Sequence, residues 1–446
     1  MGVVDVSDSG KIWVDVACTG CGLLCDDVAV EVDDEGKVVG VHNACARGNA
    51  HFRHAAEGVN ESPLVRDESG ELRPATLEEA LDRAAGLLLE ASLPLLYGWS
   101  TTTCEAQWEG LKLARALGAV IDSTASICQG HAFAALQAVG GATCTLGDVI
   151  NKCDAVIYWG ANPHEAHPRH VGKTAFSRGM FRISGREMKK LVTVDVRTTP
   201  TAHANDLFLQ VAPGTDFEVL QALRVALRDD GSLPATLGGL PGSKWREFLD
   251  LVKQAEFPAF FFGLGLTASP GGVHNVEALL SFARALADLA GVPAQVVPMV
   301  GHANMRGACE TFLAGAGVPF GASFARRDRP GSCWSQPGET TTFDLLRSGQ
   351  ADALLIVGAD PASHLPLAVA AELRSVPVVV LDARSTQTTR FADVVIPTKR
   401  AGLEATGTAV RFDGVPVRLS APLRLTGRDW PDDATVLRNL RERVER

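Results

Sequence analysis

The sequence predicts an α/β protein with two doubly wound units that resemble each other, plus a small antiparallel β domain in the first 50 residues. Two observations predict the units: short apolar runs rich in β-branched residues, and helix-length segments that separate these runs. A third observation predicts the small domain, because its apolar runs, such as Val28–Val32, are short and alternate in character.

The two units follow from an internal repeat, in which an apolar run ends in a glycine turn and two further apolar runs come after it. The first copy comprises Cys153–Pro163, Leu191–Arg197 and Ala204–Val211. The second copy comprises Ala351–Pro361, Val378–Arg384 and Phe391–Pro397. Each run is a candidate buried parallel strand, so each copy is expected to form a Rossmann-like unit with ligands at the carboxyl ends of its strands.

Other segments extend the same pattern. Further strands are predicted at Pro94–Tyr97, Ala119–Asp122 and Ala259–Gly263, each next to glycine or a helical pattern. Glu105–Leu117 and Val276–Ala290 carry apolar residues at steps of three and four, which predicts amphipathic helices.

Composition excludes several classes of protein. The chain has 446 residues, 46% of them hydrophobic and 21% charged, so several globular domains are expected. A net charge of −10 argues against a nucleic-acid-binding surface. No run of about 18 apolar residues predicts a membrane span. The stretch Met1–Val6 is neither basic nor strongly apolar, so we expect no secretory signal and a cytoplasmic location.

Four of the ten cysteines crowd into the first 45 residues. Three lie in one short loop, Cys18, Cys21 and Cys25, and Cys45 follows with the local pattern Cys-Ala-Arg-Gly. Four thiolates arranged in this way suit a cubane iron–sulfur cluster or a structural zinc ion. The spacing favours iron–sulfur, since zinc ribbons usually carry two separate Cys-x-x-Cys pairs. Unrelated buried cysteines are the third interpretation.

These cysteine motifs carry a family resemblance. The wording Cys21-Gly-Leu-Leu-Cys25-Asp-Asp27, with Asn43-Ala-Cys45, resembles the B subunit of formylmethanofuran dehydrogenase, a member of the molybdenum/tungsten bis-pterin oxidoreductases. The resemblance implies a [4Fe–4S] cluster on Cys18, Cys21, Cys25 and Cys45, and two molybdopterin guanine dinucleotides with tungsten or molybdenum. Many relatives place a lysine between cluster and pterin, and here Arg47 keeps that positive charge.

The resemblance also assigns the pterin cradle. Taken singly, a glycine turn after a strand is more often only a turn, but here two occur in order, downstream of the cysteine cluster. Glycine lets the backbone approach a bulky ligand, and acidic or amide side chains suit a nucleotide edge. The implied cofactor-binding residues are Gly160, Asn162, Asp195, Arg197, Gly214, Thr215, Asp216, Gly358, Asp360 and Asp382. The likeness continues through Glu404–Thr408 and Phe412–Gly414, to about Arg418.

Cys128 stands where the family places its metal-binding cysteine, although a lone cysteine is usually a buried apolar residue. The family has His at the next position, where this chain has Gln129, an amide that cannot shuttle a proton. His131 is the expected substitute. Arg306, in Gly301-His-Ala-Asn304-Met-Arg306-Gly307, is the expected formate-binding arginine, with a surface ion pair as the alternative interpretation.

The expected domains are an iron–sulfur domain (1–57), one α/β pterin-binding domain (58–140 with 300–400), a second (141–299) and a segment that packs back on the core (401–446). Most single-chain relatives continue into a β-barrel that caps the cofactor, and this sequence is expected to lack it. The expected partners are therefore an amidohydrolase-type A subunit, a C subunit, and a pterin-capping or formyltransferase subunit, without nucleic acid or membrane contact.

The implied activity is reduction of CO2 to formate, or the reverse, with formate passed to the amidohydrolase-type subunit for formylation of methanofuran or an analogue. Gln129 keeps an alternative open: a redox-inactive structural subunit of a bacterial formyltransferase/hydrolase complex. A general formate dehydrogenase or nitrate reductase chain fits less well, because the cap is missing.

Overall fold

The computed structural model describes residues 3–6, 10–325, 332–424 and 429–446. The chain forms two compact units. Unit 1 comprises residues 1–127, 302–411 and 416–446, and unit 2 comprises residues 128–301 and 412–415. The division falls between residues 127 and 128, where the sequence analysis expected it after residue 140. The reason is the helix at Gly130–Val139, which packs against the long helix at Gly272–Ala290 in unit 2.

The elements are numbered along the chain. The strands are β1 (Val3–Val6), β2 (Gly10–Val16), β3 (Val28–Val32), β4 (Val38–His42), β5 (Leu64–Arg66), β6 (Leu72–Pro74), β7 (Pro94–Gly98), β8 (Val120–Ser123), β9 (Ala155–Trp159), β10 (Lys190–Asp195), β11 (Leu207–Gln210), β12 (Thr236–Leu237), β13 (Leu240–Pro241), β14 (Pro258–Phe262), β15 (Gln295–Pro298), β16 (Ala322–Ser323), β17 (Ala353–Val357), β18 (Val378–Leu381), β19 (Val394–Ile396), β20 (Gly407–Val410) and β21 (Pro416–Leu419). The helices are α1 (Ala46–Arg53), α2 (Leu77–Glu90), α3 (Cys104–Leu117), α4 (Gly130–Val139), α5 (Leu146–Asn151), α6 (Pro163–Ala166), α7 (His170–Lys173), α8 (Asp216–Ala226), α9 (Gly242–Gln254), α10 (Leu264–Thr267), α11 (Gly272–Ala290), α12 (Met305–Ala316), α13 (Thr342–Arg347), α14 (Pro361–His364), α15 (Leu367–Ala370) and α16 (Asp433–Val444).

Unit 1 begins with the antiparallel sheet β1-β2-β3-β4, which confirms the antiparallel sheet expected at the N-terminus. In β3 the residues Val28, Val30 and Val32 are buried and the two between them are half-buried. This alternation is typical of a strand with one face on a core.

The main sheet of unit 1 has eight strands in the order β16-β8-β7-β17-β18-β19-β5-β6. Its five central strands, β8 to β19 in that order, are parallel. Every residue of β7, β17 and β18 is buried, because helices and loops cover both faces of a parallel sheet. Helices α2, α3 and α16 pack together, with Val436, Leu437 and Leu440 of α16 fully buried.

The sheet of unit 2 has the order β11-β10-β9-β14-β15, and all its pairs are parallel. It repeats the central arrangement of unit 1, with β9, β10 and β11 in the places of β17, β18 and β19. Two more strands complete the arrangement of five in each unit. Along the chain, they come after the trio in unit 2 (β14 and β15) and before it in unit 1 (β7 and β8). Strand order therefore reverses beside β9 in one unit and beside β17 in the other, where doubly wound sheets bind ligands.

The predicted strands and helices are confirmed, with ends displaced by at most four residues. The helix expected from Glu105 begins at Cys104, because the Thr103 hydroxyl caps it by accepting from the Ala106 amide at 3.2 Å. The helix expected from Val276 begins at Gly272. Among the described residues, no helix is long and apolar enough to cross a membrane.

Candidate functional site

The loop that connects β2 and β3 holds three of the clustered cysteines. The Cys18 amide donates to the Cys25 carbonyl at 2.8 Å and closes the loop. Leu24 has a backbone φ of 41°, which is uncommon for a residue other than glycine. Its amide donates to the Cys21 carbonyl. The loop thus turns tightly enough to direct several thiols into one small volume.

The fourth thiol comes from the start of α1. Cys45 caps this helix, with its sulfur accepting from the Gly48 amide at 3.4 Å. A Cβ at Gly48 would lie 3.2 Å from the Cys18 sulfur, so glycine is the residue that leaves room for the thiols. The Cys-x-x-Gly pattern therefore has a steric reason.

Burial and neighbouring thiols raise the pKa of two of these cysteines. Burial raises the pKa of Cys18 to about 12, and the neighbouring thiols of Cys21, Cys25 and Cys45 add to the rise. Burial likewise raises the pKa of Cys21 to about 11, opposed in part by the nearby Arg47 guanidinium. Among the described residues, no three His, Cys, Asp or Glu side chains converge closely enough to hold a single metal ion.

A cavity of about 360 Å³ lies beside the cluster loop in unit 1. Thr19 and His51 form its wall on the cluster side, joined by a 3.0 Å hydrogen bond. Arg47 does not line the described part of this wall. It is exposed and lies near Cys21. The opposite wall carries the glycine turn at Gly358.

The same cavity combines cations with buried carboxyls. Arg384, Lys399 and Arg400 line it, and burial together with the repulsion from Arg384 lowers the pKa of Arg400 to about 10. Burial raises the pKa of Asp382 to about 7, and the nearby Asp433 adds to the rise. The Nε atom of Arg384 is buried and has no hydrogen-bond acceptor within the described residues. The cavity therefore presents unsatisfied donor capacity to an anion.

The polar residues after β17 and β18 form a hydrogen-bonded module, and its Asp360 and Asp382 line the cavity. The Asp382 carboxylate accepts from the Arg384 amide at 2.8 Å. Asp360 Oδ1 accepts from the Thr388 hydroxyl at 2.6 Å and from its amide at 2.9 Å. The Thr388 hydroxyl also accepts from the Ala362 amide at 3.1 Å. Burial works against the charge of Asp360, but these bonds and one from Ser363 lower its pKa.

Unit 2 contains the same module after β9 and β10. The Asp195 carboxylate accepts from the Arg197 amide at 3.3 Å. Asn162 Oδ1 accepts from the Thr201 hydroxyl at 2.7 Å, and that hydroxyl accepts from the His164 amide. The repeated Asp-x-Arg-x-x-x-Thr spacing is therefore a structural repeat. One difference is chemical: Asn162 Nδ2 is a buried donor without an acceptor within the described residues.

Gly214, Thr215 and Asp216 form the turn that starts α8 in unit 2. Gly214 has φ of 77°, and the Thr215 hydroxyl donates to the Ala212 carbonyl at 2.7 Å. Asp216 is buried and accepts from the Trp159 indole at 2.8 Å. Burial raises the pKa of Asp216, with a smaller rise from Asp195 nearby, so both carboxyls lie at the same end of the sheet.

Cys128 and its neighbours lie at the start of α4 in unit 2. Burial raises the pKa of the Cys128 thiol. Gln129 is buried; its Nε2 donates to the Met299 carbonyl at 3.2 Å, and its Oε1 has no donor within the described residues. His131 Nδ1 lies 3.1 Å from the Thr267 carbonyl. A carbonyl only accepts, so Nδ1 carries the proton and Nε2 is the basic nitrogen.

Arg306 lies in unit 1, in the first turn of α12. Its Nε donates to Glu310 at 2.6 Å, one turn along the helix, and the side chain is only 11% exposed. Asn304 precedes the helix and is buried; its amide nitrogen donates to the Thr102 carbonyl, and its oxygen accepts from the Val410 amide. The segment before α12 is thus held from both sides.

The molybdopterin oxidoreductase family model matches residues 61–428. This chain belongs to the molybdopterin oxidoreductase family. It is 40% identical to the B subunit of the tungsten-containing formylmethanofuran dehydrogenase 2 of Methanocaldococcus jannaschii, over 92% of this chain and 93% of that one. It is 36% identical to the protein of the same name from Methanococcus maripaludis, over 98% and 99%. These relatives confirm the resemblance drawn from the cysteine motifs and the oxidoreductase assignment.

Two solved structures share the fold of this molybdopterin oxidoreductase. One is the formyltransferase/hydrolase complex of Methylorubrum extorquens with methylofuran, with a TM-score of 0.69 at 19% identity, over 86% of this chain and 98% of that chain. The other is acetylene hydratase of Pelobacter acetylenicus, with a TM-score of 0.72 at 15% identity, over 97% and 69%. Family membership implies a pterin cofactor that carries molybdenum or tungsten.

Sequence reasoning missed several residues of the cavity wall. His302, Arg384, Lys399 and Arg400 line the cavity of unit 1, and none was expected there. Two signals existed: Arg384 completes an Asp-x-Arg pattern that matches the other copy, and Lys399-Arg400 follow a predicted strand at its carboxyl end. His302 carried no such signal, because its segment connects the two sheets.

Proposed function

We propose that this chain is a formylmethanofuran dehydrogenase subunit that interconverts carbon dioxide and formate at a molybdenum or tungsten bis-pterin centre fed by a [4Fe–4S] cluster. One observation carries the proposal: in unit 1, the cysteine loop and one copy of the duplicated polar module border the same cavity. Thr19, between two of the cysteines, and Gly358, at the carboxyl end of β17, both line it. An electron-transfer group and a pterin held there would be neighbours.

The donor set fits a [4Fe–4S] cluster on Cys18, Cys21, Cys25 and Cys45. In a cubane each sulfur binds a different iron, so four thiols share one small volume without converging on a single point. Neighbouring thiols contribute to the raised pKa values of Cys18 and Cys21, which supports this proximity. Arg47 lies beside Cys21, where its charge would favour the reduced cluster.

The residues also fit two guanine dinucleotides. In unit 1, the buried Arg384 Nε and the cations Lys399 and Arg400 suit phosphate oxygens. In unit 2, Asn162 Nδ2 is an unsatisfied donor for a nucleotide acceptor, and burial raises the pKa of Asp195. The repeat supplies four further cradle residues, Gly160, Arg197, Asp360 and Asp382, and the family resemblance supplies Gly214, Thr215 and Asp216.

When bound, the pterin-ligated metal would supply two-electron redox chemistry and the cluster one-electron transfer. Cys128 would provide a soft thiolate ligand. Arg306 would hold the formate carboxylate; Glu310 takes one of its five N–H donors and orients the guanidinium plane. His131 would accept a proton at Nε2, since Gln129 cannot.

The product would then leave for other subunits. We propose that formate passes to an amidohydrolase-type A subunit that formylates methanofuran or an analogue, with a C subunit and a pterin-capping subunit completing the complex. This rests on the names of the relatives, which make each of them one subunit of an enzyme, and on the fold shared with a multi-subunit complex. The alternative of a redox-inactive structural subunit is not favoured by these relatives.

Metal analysis of the anaerobically purified complex tests the proposal. We expect about one tungsten or molybdenum per chain and viologen-dependent formate oxidation. Cys128→Ala should remove both the metal and the activity, whereas Cys309→Ala, at another buried thiol, should keep both. A complex without either metal, in which Cys128→Ala leaves formyl transfer and hydrolysis unchanged, would identify a structural subunit instead.

A further inference from the structure

A segment of unit 2 exposes apolar side chains that the proposed chemistry does not use. We call Phe176–Met188, between α7 and β10, the apolar loop. Its side chains Met180, Phe181 and Ile183 are 74%, 59% and 69% exposed, and Phe176 and Met188 are also exposed. Exposed methionine and aromatic side chains at this density are typical of protein interfaces.

A buried lysine holds the start of the apolar loop. Lys189 is 1% exposed, and its ammonium donates to the carbonyls of Thr174, Ser177 and Ile150 at 2.7, 3.3 and 3.1 Å. All three of its donors are therefore spent on backbone of the same unit. Burying an ammonium is costly, and its three hydrogen bonds to carbonyls offset part of that cost while fixing the backbone around them.

The middle of the loop is held from the inside as well. Met180 and Phe181 donate their amides to Asn151, at 2.9 and 3.2 Å. Arg182 Nε donates to the Lys152 carbonyl at 2.9 Å, and its guanidinium pairs with Glu256 at 2.7 Å. The polar groups point inward and the apolar side chains point outward. The loop is thus preorganised, which lowers the entropic cost of binding a partner.

The loop lies at the amino ends of the parallel strands. Its anchors Asn151 and Lys152 precede β9, Glu256 precedes β14, and Lys189 immediately precedes β10. Doubly wound sheets bind their ligands at the opposite, carboxyl ends. The apolar loop is therefore remote from the cradle of unit 2, and a contact there would not obstruct the cofactor.

Charge indicates the chemistry of the partner. The stretch 171–190 carries six cations and one carboxylate, whereas the whole chain has a net charge of −10. The cations are Lys173, Arg178, Arg182, Arg186, Lys189 and Lys190, and the carboxylate is Glu187. Lys189 is buried, and Arg182 and Arg186 pair with Glu256 and Asp206, so the charge offered to a partner comes chiefly from Arg178 and Lys190, which are exposed. The relatives are each named as one subunit of an enzyme, so we take the occupant to be a different polypeptide with a locally acidic surface.

We propose that the apolar loop is the docking site for another subunit of the complex, which presents an apolar pocket rimmed by Asp and Glu side chains. Met180, Phe181 and Ile183 enter the pocket, and Arg178 pairs with the rim. This inference rests on the proposed assembly, and it assigns one contact within it.

Site-specific photo-crosslinking tests the occupant. With p-benzoylphenylalanine at position 181 in the tagged chain, irradiation of the intact complex should yield one crosslinked product. Peptide mass spectrometry should place the crosslink on a different polypeptide, in a segment that contains acidic residues. The same probe at position 367, an isolated leucine of unit 1 that is 87% exposed, should not crosslink to that segment. A crosslink from position 181 to a second copy of this chain, or none, overturns the proposal.

Charge substitutions test the energetics. Met180→Asp with Ile183→Asp should weaken retention of the docked subunit roughly thirty-fold, the size of an interface hot-spot loss. Leu367→Asp should retain it. Metal and iron content should stay at wild-type values in all variants, because the loop does not touch either site. If the double variant keeps the docked subunit while the complex holds its metal, the docking inference fails and the proposed function stands. If no other subunit accompanies the wild-type chain, both fail.

Discussion

Gln129 lies directly after the expected ligand Cys128, and its amide is held by the Met299 carbonyl. Its Oε1 has no donor within the described residues. Replacing Gln129 should therefore cost less stability than replacing a buried residue whose hydrogen bonds are all made. An imidazole here would restore a proton carrier beside the metal ligand.

Gln129→His should raise formate oxidation with an artificial acceptor, toward the roughly 10²–10⁴-fold contribution that acid–base groups make. Steady-state rates of the purified complex measure this. Gln137→His, on the exposed face of the same helix, is the matched control and should leave the rate unchanged. Equal rates for wild type and Gln129→His would assign the proton path to His131 or to another group.

Asp382 is a second residue whose environment has a measurable consequence. Burial raises its pKa to about 7, so the folded chain binds this proton more tightly than the unfolded chain does. The resulting stabilisation is present at low pH and is lost as the pH rises through about 7. Asn keeps the oxygen that accepts from the Arg384 amide and removes the titration.

Cofactor-free Asp382→Asn should therefore be more stable than the wild type at pH 8, by about 1–2 kcal/mol after screening, with a smaller advantage at pH 5, where only part of the stabilisation has been lost. Urea unfolding at the two pH values gives the comparison. Two results together would contradict the raised pKa: the free energy of unfolding of the wild type increases from pH 5 to pH 8, and the variant's advantage is the same at both pH values.

Among the elements, the β2–β3 loop and the start of α1 together carry the proposed cluster ligands. Cys18, Cys21 and Cys25 come from the loop and Cys45 from the helix cap. The sheets of both units have their own buried cores, so the fold of the α/β body does not depend on this loop.

Cys21→Ser should lower the iron content from about four per chain to a small fraction, with the visible absorbance lost and the far-ultraviolet circular dichroism retained. Cys333→Ser, at a half-buried thiol outside the cluster loop, should keep its iron. Zinc without iron in protein that was never exposed to air would instead support a structural zinc site.

At the scale of the whole molecule, the cofactor would need both copies of the duplicated module. Gly160 and Gly358 stand at corresponding turns, with φ of 54° and 57°. A Cβ at Gly160 would lie 2.7 Å from the Leu266 amide nitrogen, and one at Gly358 would collide with the Thr101 hydroxyl. Both positions therefore exclude a side chain.

If each unit holds one dinucleotide of a shared metal centre, Gly160→Ala and Gly358→Ala should each lose most of the tungsten or molybdenum. Acid-released GMP should fall from about two per wild-type chain. Gly86→Ala, in helix α2 with open space around it, should keep both and gain up to about 1 kcal/mol in stability. Loss of the metal from only one of the two turn variants would argue against a centre shared by the two units.

Local patterns in the sequence were enough to predict the strands, the antiparallel N-terminal sheet, the cysteine loop and the repeated glycine turns. These features are set by residues that are near one another in the chain: β-branched runs such as Ala353–Val357, or the Cys-x-x-Gly cap at Cys45. The Asp-x-Arg repeat at Asp195 and Asp382 was equally visible, because each copy needs only one strand end.

Only the tertiary structure decided what converges on those features. His51, His302 and Arg400 line one cavity although long stretches of chain separate them: Arg400 follows β19, His51 comes from α1 and His302 from the segment before α12. The packing of α4 on α11, rather than any local signal, set the unit boundary. The same holds for the apolar loop, whose backbone is held by hydrogen bonds from the buried Lys189 while its apolar side chains stay exposed. Short-range preferences determine elements, whereas burial and hydrogen-bond satisfaction over the folded chain determine which side chains meet a ligand or a partner.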